Sequence, residues 1–271
     1  MAMRLGARHP LAPDRAFGGV ELRRLDWDSE FFGYRMGVLA LAHGGRAHGA
    51  NGALGNDLRL ALAEAAADGY AHVILRAPAD RHAVSRAAEH AGMRLVDVAL
   101  DLQVQISGRQ PTLAGAGVRR ASPADLDALR IIAEDAFELS RFAADPFFSK
   151  EQVAAFYRQW ITNLCEGLAD VVLVAESNDE IVGFTTCVTG RDATGRIPLI
   201  ATSEAHRRQG VGRALVDASL RWFAGAGPHH VRVKTQAANY PALALYHRLG
   251  FTVVSAELTF SATLGRVLAT S

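Results

Sequence analysis

The segment Arg207-x-x-Gly210-x-Gly212, in "AHRRQGVGRALV", sets two glycines and the cations Arg207, Arg208 and Arg213 at the start of an apolar helical pattern. A helix start leaves its first N–H groups without intrahelical partners and carries the positive end of the macrodipole. Glycines there let a pyrophosphate approach the backbone closely. The same spacing also suits an ordinary helix start, and the residues alone leave both readings open. No Gly-Lys-Ser/Thr follows, so this is not a Walker loop, and no third glycine falls in register for a dinucleotide fingerprint. Downstream, "TQAANYPALALYHRLGF" places Asn239 just before a helix and Tyr246 two turns further along nearly the same face. Both could face one ligand. Asn239 also fits a plain N-cap, and Tyr246 a core aromatic. Cys165 and Cys187 lie outside these segments with no paired spacing for a disulfide or zinc site, and read as buried, inert thiols in a reducing compartment.

The elements that must position these residues fall into two halves. At 271 residues and 49% hydrophobic composition the chain can bury two modest cores. The segment "SGRQPTLAGAG" (107–117) reads as a linker, giving expected domains of 1–112 and 113–271. In the second half, "GVRRAS" reads as a strand and Ser122-Pro123 as a helix start. Val153, Phe156, Trp160 and Leu164 have helical spacing. "DVVLVAE" and "EIVGFTTCVT" flank the turn Ser177-Asn178-Asp179 as a hairpin. "RIPLIAT" reads as one strand, "HHVRVKT" as another, "YPALALYHRLG" as a helix closed by Gly250, and "FTVVSAELTF" as the last strand. An ungapped comparison at an offset of 158 residues lays His72 on His230, Arg76 on Lys234 and Gly92 on Gly250. The segment from Ala71 therefore reads as a second copy of a strand–helix–strand unit, with Arg81 and Ala88 in the places of Asn239 and Tyr246.

With 29 Lys+Arg against 28 Asp+Glu, the formal charge is +1. Nothing in that balance favours nucleic acid or an anionic membrane as partner. No signal peptide and no membrane-length apolar run is found, so a soluble cytoplasmic protein is expected.

The order of strand, "RRQGVG", helix, strand and "TQAANYPALALYHRLGF" resembles the GCN5-related N-acetyltransferase superfamily over residues 117–271. The resemblance implies an α/β fold with a mixed, centrally splayed sheet, preceded by a smaller N-terminal α/β domain like a degenerate half of the same fold. It implies acetyl-CoA as cosubstrate, with no metal. The pyrophosphate would be held by Arg207, Arg208 and the backbone of Gln209, Gly210, Val211, Gly212 and Arg213. Asn239 would contact CoA, Ala201 and Thr202 would offer backbone groups to the pantetheine arm and the carbonyl oxygen, and Tyr246 would protonate the leaving thiolate. Arg208 stands where the family often has glycine, and Glu204 where proline is frequent. No base is identified; Glu204, His206, Asp192 and His247 are the candidates.

A narrower resemblance, through "LDWDSEFFGYRMG" and "FELSRFAADPFFSKEQVAAFYRQWI", is to dTDP-fucosamine acetyltransferases. It implies transfer to the amine of a dTDP-4-amino-4,6-dideoxyhexose, with Arg141 and Phe142 contacting phosphate and sugar or base. Asp28 and Glu30 would either bond acceptor hydroxyls or buttress the domain, the latter being favoured. Alternatives are a protein N-terminus, polyamine or aminoglycoside as acceptor, or a non-catalytic acyl-CoA binding module. A homodimer is one option for assembly.

Overall fold

The computed structural model describes residues 15–41, 53–106, 117–190 and 192–265. Its elements in order are β1 (Arg15–Phe17), β2 (Val20–Arg24), α1 (Asp26–Phe32), β3 (Met36–Leu41), α2 (Ala53–Ala67), β4 (His72–Pro78), α3 (His82–His90) and β5 (Arg94–Gln105). These are followed by β6 (Val118–Arg120), α4 (Leu126–Ala136), α5 (Arg141–Ala144), α6 (Lys150–Asn163), β7 (Val171–Ser177), β8 (Glu180–Thr189), β9 (Thr194–Ile197), β10 (Ile200–Thr202), α7 (Val211–Ala226), β11 (His230–Gln236), α8 (Tyr240–Arg248) and β12 (Thr252–Thr263).

Two compact units interleave along the chain. Among the described residues, one holds 15–99, Ala144–Phe147 and 255–265; the other holds 100–143 and 148–254. Most of the 107–117 segment, and with it the expected cut at 112/113, lies outside the described residues.

In the N-terminal unit, β2 pairs antiparallel with β1 and β3, β3 pairs parallel with β4, and β4 pairs antiparallel with the end of β12 from Glu257 to Thr263. Most of β4 is buried, which matches its near-continuous apolar run. Leu58, Ala61, Leu62 and Ala65 of α2 share a core with Leu75, Val84 and Phe260.

In the C-terminal unit, β6, β7, β8 and β9 form an antiparallel series, and β9 pairs parallel with β11. The β7–β8 turn uses Asn178 and Asp179 at φ 50° and 64°, the left-handed pair a two-residue hairpin needs. Ser122 and Asp125 form a reciprocal capping box ahead of α4, and Ser149 and Gln152 another at α6. Val216, Leu220 and Phe223 of α7 pack with Ile197, Val231 and Val233.

The strand–helix–strand unit recurs with coincident bounds. The limits of β4, α3 and β5 fall on those of β11, α8 and β12 at the same offset of 158 residues. Gly92 and Gly250, equivalent at that offset, close the two helices at φ 81° and 84°. No helix among the described residues is long and apolar enough to cross a membrane.

Candidate functional site

The segment "RIPLIAT", expected as one strand, is two. β9 pairs with β11 through Ile197↔Val233, then the chain turns at Pro198-Leu199 and β10 pairs only with β8, from Ile200↔Thr185 to Thr202↔Gly183. Thr186 makes the switch possible. Its N–H donates to Leu199 O at 2.9 Å, and its hydroxyl accepts from Leu199 N at 3.0 Å, replacing the ladder bond lost at the break. Beyond Val233, β11 therefore runs on without β9 beside it, and β10 diverges from it.

Hydrogen-bond alternation decides which backbone groups face that opening. Leu199 O and Ser203 N both bond β8, at Thr186 N and Val182 O. Antiparallel strands alternate in this respect, so Ala201, opposite Phe184, also spends its N–H and C=O on β8. Ile200 and Thr202 turn theirs to the open side. Of the two residues expected to offer backbone groups, Thr202 turns its N–H and C=O to the open side with Ile200, whereas Ala201 is 6% exposed and bonds β8. The residue parity of the β8–β10 register carried this information, and the sequence did not disclose the register.

A short 3-10 turn, Glu204–His206, leads from β10 to the glycine loop. Gly210 is the N-cap of α7 at φ 88° and makes no side-chain cap. The first helical bond runs from Ala214 N to Gly210 O at 3.0 Å, which leaves the N–H groups of Val211, Gly212 and Arg213 ahead of it for an anion. Gly212 has a different duty. A Cβ there would sit 3.3 Å from Leu245 Cδ2 and 3.9 Å from Thr202 Oγ1, so its bareness brings α7 close to α8 and β10. Arg207, Arg208, Gln209 and Arg213 are all exposed around this start. The Gln209 amide donates to Ala205 O at 3.0 Å and fixes the turn.

Asn239 caps α8. Its Oδ1 accepts from Ala242 N and its Nδ2 donates to Thr235 Oγ1, each at 3.3 Å. Arg81, its counterpart in the first copy, makes no side-chain cap. Tyr246 is 2% exposed with its ring 5.4 Å from that of Phe251, inside the core of the C-terminal unit. Burial pushes its phenol pKa upward from the ordinary value, so it keeps its proton across the physiological range.

On the acceptor side, the Arg141 guanidinium lies 3.7 Å from the centroid of the Phe142 ring. Phe142 departs from expectation. It is 2% exposed and packed against Phe148 and Phe156, so its ring fills the core instead of offering a face to a sugar or base. In the "WDSEFFG" segment Glu30 is exposed and Ser29 is the residue that builds structure: its hydroxyl bonds Leu25 O at 2.6 Å and receives Met36 N at 3.0 Å, tying α1 to the start of β3. Among the base candidates, Asp192 is paired with Arg196 at 2.7 Å and His206 lies 2.9 Å from Ser203 Oγ, while Glu204 and His247 are exposed. Cys187 is buried, and burial pushes its thiol up to about 12. Cys165, expected to be buried as well, is exposed in the π-turn that ends α6.

Residues 131–251 match the model of the acetyltransferase (GNAT) family. The chain is 28% identical over 239 residues to the dTDP-fucosamine acetyltransferase of Escherichia coli O6:H1, covering 87% of this chain and 95% of that one. It is 29% identical over 249 residues to the mycothiol acetyltransferase of Amycolatopsis mediterranei, covering 86% and 77%. In fold it is similar to a GCN5-related N-acetyltransferase from Sphaerobacter thermophilus, with a TM-score of 0.65 at 14% identity over 91% of this chain and 77% of that one. With β10 diverging from β11 beside an uncapped helix start, residues 131–251 are similar to the acetyltransferase (GNAT) family, and with these likenesses the chain is an N-acetyltransferase.

Proposed function

We propose that the chain transfers an acetyl group from acetyl-CoA to the amine of a nucleotide-linked amino sugar of the dTDP-4-amino-4,6-dideoxyhexose type. The observation that carries the acetyl-CoA part is the opening between β10 and β11 beside the uncapped start of α7. The amides of Val211, Gly212 and Arg213 with Arg207 and Arg208 would hold the pyrophosphate. The backbone of Ile200 and Thr202 would take the pantetheine arm and place an N–H at the carbonyl oxygen, where negative charge develops as the amine attacks. Asn239, fixed by its cap, would line the cofactor path. Tyr246 holds a proton that burial keeps in place and would deliver it to the departing sulfur. A sugar amine loses its own proton to ordered water without a strong base. A covalent acyl-enzyme is not part of the reading: the buried Cys187 thiol stays protonated, and Cys165 lies outside the motif segments.

The acceptor assignment is supported by the relative named dTDP-fucosamine acetyltransferase, whose similarity runs through both units and is not confined to the family-matched segment. Arg141 would pair with a nucleotide phosphate. The N-terminal unit is read as a degenerate copy of the same fold, because Arg81 and Ala88 stand at the places of Asn239 and Tyr246. One acetyl-CoA per chain follows.

Free CoA release measured with acetyl-CoA and dTDP-4-amino-4,6-dideoxygalactose is the test. Turnover on the sugar nucleotide, with little on peptides, polyamines or aminoglycosides, is expected; the reverse preference overturns the acceptor assignment. Calorimetric titration with acetyl-CoA should saturate at one site per chain.

A further inference from the structure

His72 opens β4 and is fully buried, and its Nε2 lies 2.8 Å from Oδ2 of Asp145, itself 3% exposed. Asp145 belongs to Ala144–Phe147, the four residues of the α4–α6 connection that pack with the N-terminal unit. Asp145 Oδ1 accepts from Phe147 N at 3.1 Å, and Ser261 of β12 hydrogen-bonds the same carboxylate. The Phe147 ring stands 4.5 Å from His72 and 5.5 Å from Tyr34, centroid to centroid. Burial works against the charged carboxylate, but the bonds from His72, Phe147 and Ser261 outweigh it and hold the Asp145 pKa below the ordinary value.

The internal repeat shows what is unusual here. At the offset of 158 residues, His72 corresponds to His230 and Gln103 to Ser261. In the C-terminal unit the long Gln103 side chain reaches His230 directly, with Nε2 to Nδ1 at 3.3 Å. In the N-terminal unit Ser261 stands at the place of Gln103, and the group bonded to His72 comes from outside the repeat: Asp145. A buried carboxylate costs desolvation that a glutamine at 261 would avoid. What Asp145 supplies and a glutamine cannot is an anchor for the connection that also carries Arg141.

We propose that His72 and Asp145 clasp the α4–α6 connection in the conformation that presents Arg141 to the acceptor, which makes both of them positioning residues for acceptor affinity. This rests on the reading that the connection binds the acceptor. The decisive variant is Asp145→Ala combined with Ser261→Gln, which gives His72 the partner that His230 has and so keeps the fold while releasing the connection. Its KM for dTDP-4-amino-4,6-dideoxygalactose should rise about tenfold or more while the KM for acetyl-CoA stays within about twofold, because misplacing a binding group penalises the ligand it serves. The thermal midpoint should stay near that of the wild type. His72→Gln, which keeps a donor toward Asp145, should retain more acceptor affinity than His72→Ala. An unchanged acceptor KM in the double variant, or parallel rises in both KM values with a lowered midpoint, overturns the proposal. Should the wild type not acetylate the sugar nucleotide at all, the acceptor reading falls, and amide hydrogen exchange of the free protein still decides the clasp. Faster exchange over 140–149 in the double variant, with α7 and α8 unaltered, supports it; unaltered exchange over 140–149 refutes it.

Discussion

At the scale of single residues, two side chains are held in conditions that free solution would not give them. Tyr246 occupies a core position, as Ala88 does in the first copy, yet carries a hydroxyl there. Its raised pKa means the proton is present throughout and below the ordinary tyrosine range, so Tyr246 should add no alkaline limb to kcat below pH ~10. Tyr246→Phe should lower kcat by about 100-fold or more if this proton goes to sulfur. Because only a hydroxyl is removed, the urea-unfolding stability should change by no more than about 1.5 kcal/mol. Unchanged turnover would show that the ring is only packing. Arg208 sits at φ 64°, in the left-handed region that a side chain makes costly, where the family often has glycine. Arg208→Gly relieves roughly 1–2 kcal/mol of that cost and gives back about 0.4–1 kcal/mol as chain entropy. A small net stabilisation in urea is expected, together with a rise in acetyl-CoA KM of at most about fivefold, since an exposed cation contributes about 1 kcal/mol or less.

At the scale of elements, the site depends on how β10 is seated. Gly183 of β8 lies under it: a Cβ there would meet Ala201 O at 2.8 Å and Leu215 Cδ1 and Val211 Cγ1 at 3.1 Å. Those atoms belong to β10 and to the first turns of α7. Gly183→Ala therefore has to move the strand that faces the pantetheine path, the helix that starts at the pyrophosphate, or both. A stability loss of about 1–3 kcal/mol is expected from the overpacking, with acetyl-CoA KM raised in steady-state kinetics and acceptor KM affected less. Gly210 is different, because nothing lies within 4 Å of a Cβ built there; its φ of 88° is what demands glycine.

At the scale of the whole molecule, the two compact units do not follow a single cut in the chain. Residues 100–105 of β5 serve the C-terminal unit, where Asp101 pairs with Lys234 at 3.4 Å and Gln103 accepts from Arg232 at 2.8 Å. Residues 255–263 of β12 serve the N-terminal unit through the β4 pairing. Each unit thus borrows the last strand of the other copy's repeat. Residues 113–271 expressed alone lack the β5 partner of β11 and should show a lowered thermal midpoint and exposed apolar surface by dye binding. Co-expression with 1–112 should restore both. An isolated 113–271 as stable as the full chain would show that the borrowed strand is dispensable.

The sequence by itself determined the local signals. These include the glycine start of α7, the Asn239 cap, the helix start at Ser122-Pro123 and the Asn178-Asp179 turn, because each depends on neighbours a few positions apart, and the repeat at 158 residues, which direct comparison of the chain with itself discloses. What only the tertiary structure decided depends on partners far along the chain. The break of "RIPLIAT" at Pro198-Leu199 follows from Thr186 on another strand, and the direction in which Ile200, Ala201 and Thr202 turn their backbone groups follows from register with β8. The burial of Phe142 comes from an aromatic cluster that includes α6, and the His72–Asp145 pair joins residues 73 positions apart. Periodicity along one segment cannot report such pairings, since hydrogen-bond register and burial are properties of two segments meeting.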